Sequence, residues 1–216
     1  VKCGIMDQYA SMFSIKNHAL HLDCRTVKSK PYEINFKNHQ LMLINTNVKH
    51  SLSDSAYNDR RSACESISKL LGVKALRDAT EADLETIIDK VTPANYQKAL
   101  YVIQENARTI KAGKAIEDND LEKLGSLIYQ SHAGLSNQYN VSCDELDFLV
   151  EQAKKNKHVL GARMMGGGFG GCTINLVAKS EAKTFGETAS HAYRKKFNKD
   201  CSVYFIELSD GTHVVK

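Results

Sequence analysis

The chain has 216 residues, ordinary apolar and charged fractions of 42% and 25%, and a formal charge of +4, a profile of globular proteins with a sizeable core. It holds no apolar run long enough for a membrane-spanning helix and no signal-peptide pattern. The densest basic run, "HAYRKKFNK", is interrupted by aromatic and apolar residues at helical spacing, so it reads as a solvated helix face rather than a nucleic-acid surface. The six cysteines are scattered with no C-x-x-C, which argues against a zinc site or disulfide scaffold and predicts a reducing cytoplasm.

In chain order, "GIMDQYASMF" is a short amphipathic helix with Ile5, Tyr9 and Met12 on one face. "HALHLDC" and "PYEINF" alternate like half-buried strands, and Leu41–Asn47 is a more buried strand. A helix from about Asp54 carries Ala56, Ala63, Ile67 and Leu70 on its core face and stops at Gly72. "ATEADLETIIDKV" is a further short helix. The next starts on Thr92 as N-cap with Pro93 at its first position, and Tyr96, Ala99, Leu100, Ile103, Ala107 and Ile110 form its stripe. Two capping boxes, Asn119 with Glu122 and Ser142 with Glu145, predict two more helix starts.

The last quarter reads as strands at Val159–Met165 and Cys172–Lys179, a helix over Ser180–Phe197 with Ala182, Phe185, Ala189 and Tyr193 inward, and a strand at Ser202–Leu208. With Leu41–Asn47 and its following helix, the order is β-α-(inserted helices)-β-β-α-β. That is the split βαβ of a ferredoxin-like α+β fold. Residues before about 37 fall outside this unit.

Glycine fills five of the six positions from Gly166 to Gly171. Gly166, Gly168 and Gly171 match G-x-G-x-x-G, yet "CTINLVAK" follows as a strand, so the dinucleotide geometry fails; a Walker A loop fails for want of G-K-[ST]. Two explanations stay open: a tightly packed bulged hairpin, or bare backbone at Gly166, Gly167 and Gly168 against which a ligand closes. Asp7 is likewise open between favouring a positive helix end and serving as a partly buried carboxylate that takes a hydroxyl proton. "NTNVKHSLSDSAYNDRR" runs from a strand end into a helix start, where Tyr57 could turn its hydroxyl into a cleft. Arg60 and Arg61 could neutralise phosphate but on a helix read more readily as solvated or paired with acids such as Glu65, and His50, a candidate acid/base, reads more readily as a hydrogen-bonding loop residue.

Taken in order, "CGIMDQYASMF", "LDCR", "NTNVKHSLSDSAYNDRR", "VSCDELD" and "GARMMGGGFGGCTI" closely resemble the galactokinases of the GHMP small-molecule kinase superfamily, from the first residues to nearly the last. The resemblance implies ATP-dependent phosphorylation, with Mg²⁺, of the anomeric hydroxyl of galactose. It implies that Asp7 is the catalytic carboxylate, that Tyr57 hydrogen-bonds the sugar, and that the "GGGFGG" loop is the third superfamily motif beside the active site. It assigns no metal ligand to this chain.

It also implies that residues 1–37 are a remnant of the N-terminal GHMP domain and 38–216 the C-terminal domain. The family's early arginine and Gly-Leu-Ser-Ser-Ser phosphate loop do not occur here. The expectation is therefore a C-terminal part, inactive without the missing N-terminal portion. Met165 stands where many relatives carry threonine, Ser14 where glycine is usual, and "SHAGLSNQYNVS" lacks the usual Arg-Asp-Asp. The alternatives to a galactose kinase are an N-acetylgalactosamine kinase and a non-catalytic sugar and ATP sensor.

Overall fold

The computed structural model describes residues 4–48 and 53–214, the side chains of 53–57 excepted. Helix α1 (Met6–Phe13) leads into an antiparallel hairpin of β1 (His18–Asp23) and β2 (Lys28–Glu33). Then come β3 (His39–Asn45), α2 (Ser53–Leu70), α3 (Glu81–Glu85), α4 (Pro93–Glu117), α5 (Leu121–Asn137), α6 (Asp144–Lys154), β4 (Val159–Met164), β5 (Cys172–Ala178), α7 (Ala182–Phe197) and β6 (Ser202–Phe205).

The second sheet has the order β4-β5-β3-β6, antiparallel at every pairing. In the order of its own four strands that is 2-3-1-4, the ferredoxin-like arrangement that the alternating sequence patterns predict. Successive side chains on a strand point to opposite faces, so β3 feeds two cores. Met42 and Ile44 join Val177 and Ala162 against Leu149 and Val150 of α6 and Phe185, Ala189 and Tyr193 of α7. Leu41 and Leu176, opposite each other in register, meet Leu121, Leu124 and Leu127 of α5. The four inward residues predicted for α7 are all at most 2% exposed.

Helix α5 and strand β4 approach to backbone contact. A side chain added at Gly125 would lie 2.2 Å from the Leu160 carbonyl oxygen, and one at Gly161 would lie 2.5 Å from that of Gly125. In a free helix, Gly→Ala stabilises by about 1 kcal/mol. Gly125→Ala is expected to do the reverse, costing about 2–3 kcal/mol by overpacking, measurable by urea denaturation. A stabilised variant would contradict the contact.

Helix ends explain where the sequence reading shifts. Gly72 (φ +69) does end α2, with its N–H and that of Val73 donating to the carbonyls of Lys69 and Ser68. Thr92 caps α4 as predicted, accepting from Asn95 N–H. Helix α4 runs on to Glu117, however, and Asn119 (φ +54) is the left-handed residue that terminates it. Asp120 therefore caps α5, accepting from Lys123 N–H at 2.9 Å, in place of the predicted Asn119.

Ser142 does not cap α6 either; its hydroxyl is diverted to Asp147. The "ATEADLETIIDKV" helix is the five-residue α3, with a Thr80–Asp83 capping box, followed by a 3₁₀ turn over Ile88–Lys90. Ile110 and Leu70 are exposed, while Tyr101 is buried. For α4 the cause is that it packs on two sides, with Ala99 and Ile103 toward α2 and α3 and Tyr101 toward Leu135 of α5.

Strand β2 starts at Lys28, earlier than predicted, because Val27 (φ +55) closes a tight turn and register runs on at once from Asp23↔Lys28. The hairpin leans on α4, with Tyr32 over Gly113 and Lys30 paired to Glu117 at 2.6 Å. Strand β6 stops at Phe205, after which Ile206–Leu208 line a cavity of about 260 Å³ with Lys16 and His39. Among the described residues no helix is long and apolar enough to cross a membrane.

Candidate active site

Three chain segments, the β3 exit, α2 and the α5–α6 connection, converge on the glycine loop between β4 and β5. At its base, Met165 N–H donates to the Cys172 carbonyl, while the Gly171 carbonyl accepts from both the N–H and the hydroxyl of buried Thr46 at 2.9 Å. At its tip, Phe169 N–H donates to the Val141 carbonyl at 2.8 Å. Phe169 is left-handed (φ +60), uncommon for a residue with a side chain. Its ring lies 5.2 Å from the guanidinium of Arg60, a favourable cation–π distance.

Arg60, from α2, also donates to the Tyr139 and Asn140 carbonyls, joining α2 to the α5–α6 connection. The sequence reading as a solvated or acid-paired side chain holds for Arg61, which meets Glu65 at 2.8 Å, and fails for Arg60. Carbonyl acceptors from a distant segment leave no local sequence signal.

The glycines divide into two groups. A side chain at Gly168 (φ +87) would lie 1.9 Å from the Val141 carbonyl oxygen, and one at Gly170 would lie 2.9 Å from that of Val48. These two are buried and serve packing within the chain. Gly166 and Gly167 are exposed, with no described atom within 4 Å of an added side chain. The packed-hairpin explanation therefore holds for the tip, where Gly168 is pressed on Val141 and is not bare backbone, while the leading edge at Gly166 and Gly167 is open.

The β3 exit beside the loop is equally fixed. Asn47 (φ +56) donates through its side-chain amide to the Asp200 carbonyl and the Ser202 hydroxyl, each at 3.0 Å. The buried Tyr193 hydroxyl donates to the Thr46 carbonyl at 2.8 Å, and burial pushes that phenol well above its ordinary range. Burial likewise raises the Cys172 and Cys143 thiols, so neither flanking cysteine is an activated thiolate.

Asp7 occupies the first turn of α1, where the helix dipole favours a carboxylate. Its side chain is exposed, not partly buried as one reading of the sequence had it. Helix α1 buries none of its residues; Met6, Met12 and Phe13 are all more than half exposed. The Tyr9 hydroxyl donates to Ser29, and the Ser14 and Ser11 carbonyls accept from the N–H groups of Gly211 and Thr212. Tyr57 falls within α2, but its side chain, like the whole of His50, lies outside the described residues. Among the described residues no group of three or more His, Cys, Asp or Glu side chains could hold a metal ion.

Residues 112–195 match the family described as GHMP kinases C terminal. A galactokinase of Thermotoga petrophila is 40% identical over the whole of this chain, which spans 60% of that relative's length. One of Clostridium beijerinckii is 40% identical, with 57% of its length covered. The crystal structure of Lactococcus lactis galactokinase complexed with galactose superposes with a TM-score of 0.92 at 32% identity, covering 98% of this chain and 56% of that one. An L. major mevalonate kinase, at 20% identity and a TM-score of 0.50 over 90% of this chain and 50% of that one, shares the fold alone. The strand order and the similarity along the whole chain agree with the GHMP kinase C-terminal domain that residues 112–195 match.

Proposed function

We propose that this chain is the C-terminal part of a galactokinase, a protein that transfers a phosphoryl group from ATP to the anomeric hydroxyl of α-D-galactose to give galactose 1-phosphate. The observation that carries the proposal is 40% identity to galactokinases over the entire chain, supported by the close superposition on a galactokinase that holds galactose. In this reading residues 1–37 belong to the N-terminal GHMP domain and 38–216 form the C-terminal one. Upstream sequence would then cover the apolar surface of α1 at Met6, Met12 and Phe13. Cytoplasmic location belongs to the same reading.

ATP supplies the phosphoryl group, and the described residues contain no cluster that would hold Mg²⁺, which would enter with the nucleotide. The open backbone at Gly166 and Gly167 fits the close approach of a reactant. The rest of the work assigned to this chain is positioning. Phosphoryl transfer has a loose transition state, so orientation of the acceptor matters more than a strong base. Asp7 orients the sugar hydroxyl and accepts its proton. Tyr57 hydrogen-bonds the sugar.

Assaying the full-length protein on galactose and N-acetylgalactosamine tests the reading. Phosphorylation of galactose is expected; turnover of only the acetylated sugar, or of neither, overturns it. Tyr57→Phe is expected to raise KM for the sugar roughly three- to tenfold, the worth of one hydrogen bond, with KM for ATP unchanged. An effect confined to ATP would reassign the residue.

A further inference from the structure

Asp147 on α6 sits at the centre of a hydrogen-bond network that reaches the glycine loop from two sides. Its carboxylate accepts from the Ser136 hydroxyl of α5 at 2.8 Å and the Ser142 hydroxyl of the α5–α6 connection at 2.5 Å. The third partner is Nε2 of His132, at 3.1 Å. Burial opposes ionisation of Asp147, but the bonds from His132, Ser142 and Ser136 outweigh it and hold the carboxyl below its usual range.

His132 is 4% exposed, and its Nδ1 accepts the backbone N–H of Met164 at 3.2 Å. A backbone amide can only donate, so this bond selects the neutral imidazole with its proton on Nε2, facing Asp147. Met164 ends β4, and β4 is an edge of its sheet, so an N–H pointing outward there has no strand to pair with. His132 supplies that acceptor at the root of the loop. On the other side, Ser142 adjoins Val141, whose carbonyl holds Phe169 and contacts Gly168 at the tip. One carboxylate thus braces both ends of a loop whose glycines would otherwise sample many conformations. With His132 buried and Asp147 half-buried, this satisfied polar network rigidifies what it touches.

We propose that Asp147 and His132 are positioning residues that hold the open Gly166–Gly167 edge in register for phosphoryl transfer. Its kinetic consequence rests on the galactokinase reading; its structural consequence does not. The two bonds of His132 can be separated in the full-length protein. Glutamine sets its amide near the Nε2 position and keeps the tie to Asp147, whereas asparagine sets its oxygen near Nδ1 and keeps the tie to Met164.

His132→Gln is expected to speed hydrogen exchange of the amides at 164–169 by about tenfold or more. It should also lower kcat about 10- to 100-fold while leaving KM for galactose within roughly threefold. His132→Asn should keep Met164 protected. Should either fail to fold, the milder Ser142→Ala is expected to speed exchange at Phe169 with a smaller loss of kcat. Unchanged loop exchange in a folded His132→Gln or Ser142→Ala protein overturns the proposal. So does an increase spread evenly over α5 and α6, or faster loop exchange with unaltered kcat. A wild-type full-length protein inactive on galactose would sink the galactokinase reading instead, and loop exchange alone would then decide the bracing.

Discussion

Replacing Asp7 with alanine in the full-length protein is expected to lower turnover of galactose by about 10²–10⁴-fold, the range supplied by a positioned acid–base group. In residues 1–216 alone the same change should hardly move the melting temperature, because there the side chain is exposed and α1 buries none of its residues. Sugar affinity should change little, since the carboxylate's contribution is concentrated in the transition state. Asparagine at the same position separates the two roles. It keeps an oxygen that can orient the hydroxyl but cannot take up the proton. Turnover by Asp7→Asn close to the alanine level would assign the effect to proton transfer; turnover near wild type would assign it to orientation. An alanine variant with nearly full turnover would remove Asp7 from the mechanism.

The second large effect concerns the glycine loop, where neighbouring positions are expected to behave oppositely. Gly168→Ala must place a side chain at φ +87 and 1.9 Å from the Val141 carbonyl oxygen. Left-handed strain and overpacking together should cost about 3–5 kcal/mol, a fall in Tm of roughly 10 °C for a chain of this size. Gly167→Ala meets open space and should leave stability within about 0.5 kcal/mol.

If the open edge faces the reactants, Gly167→Ala should still lower kcat/KM by roughly tenfold or more, because small displacements at a reacting centre are costly. Thermal melts and steady-state kinetics on both variants check this pair. Full activity in Gly167→Ala would mean that the edge faces only solvent, and an undestabilised Gly168→Ala would contradict the packing at the tip.

Much of the architecture could be read from local pattern, because the signals involved are local. The inward stripe of α7, the Thr92–Pro93 helix start and the Gly72 stop each depend on residues within one or two turns. Alternating strands separated by helical segments were enough to predict the split βαβ order later seen in the sheet. Where two local signals competed, sequence could not choose. Asn119 and Asp120 are both good N-caps, and the left-handed end of α4 claimed the first. Ser142 looked like half of a capping box until Asp147 drew its hydroxyl away.

By itself, then, the sequence determined the fold class, the family resemblance and the nomination of Asp7, Tyr57 and the glycines. The fold class rests on local pattern, and the nominations rest on what the family resemblance implies. Only the tertiary structure decided what the glycines do individually: Gly168 and Gly170 are held against Val141 and Val48, while Gly166 and Gly167 are left open. It also brought Arg60 to Phe169 and linked His132 to both Asp147 and Met164. The reason is distance along the chain. These partners are 15 to 122 residues apart, and no periodicity or spacing rule encodes a contact that exists only once α2, α5, α6 and the sheet have packed.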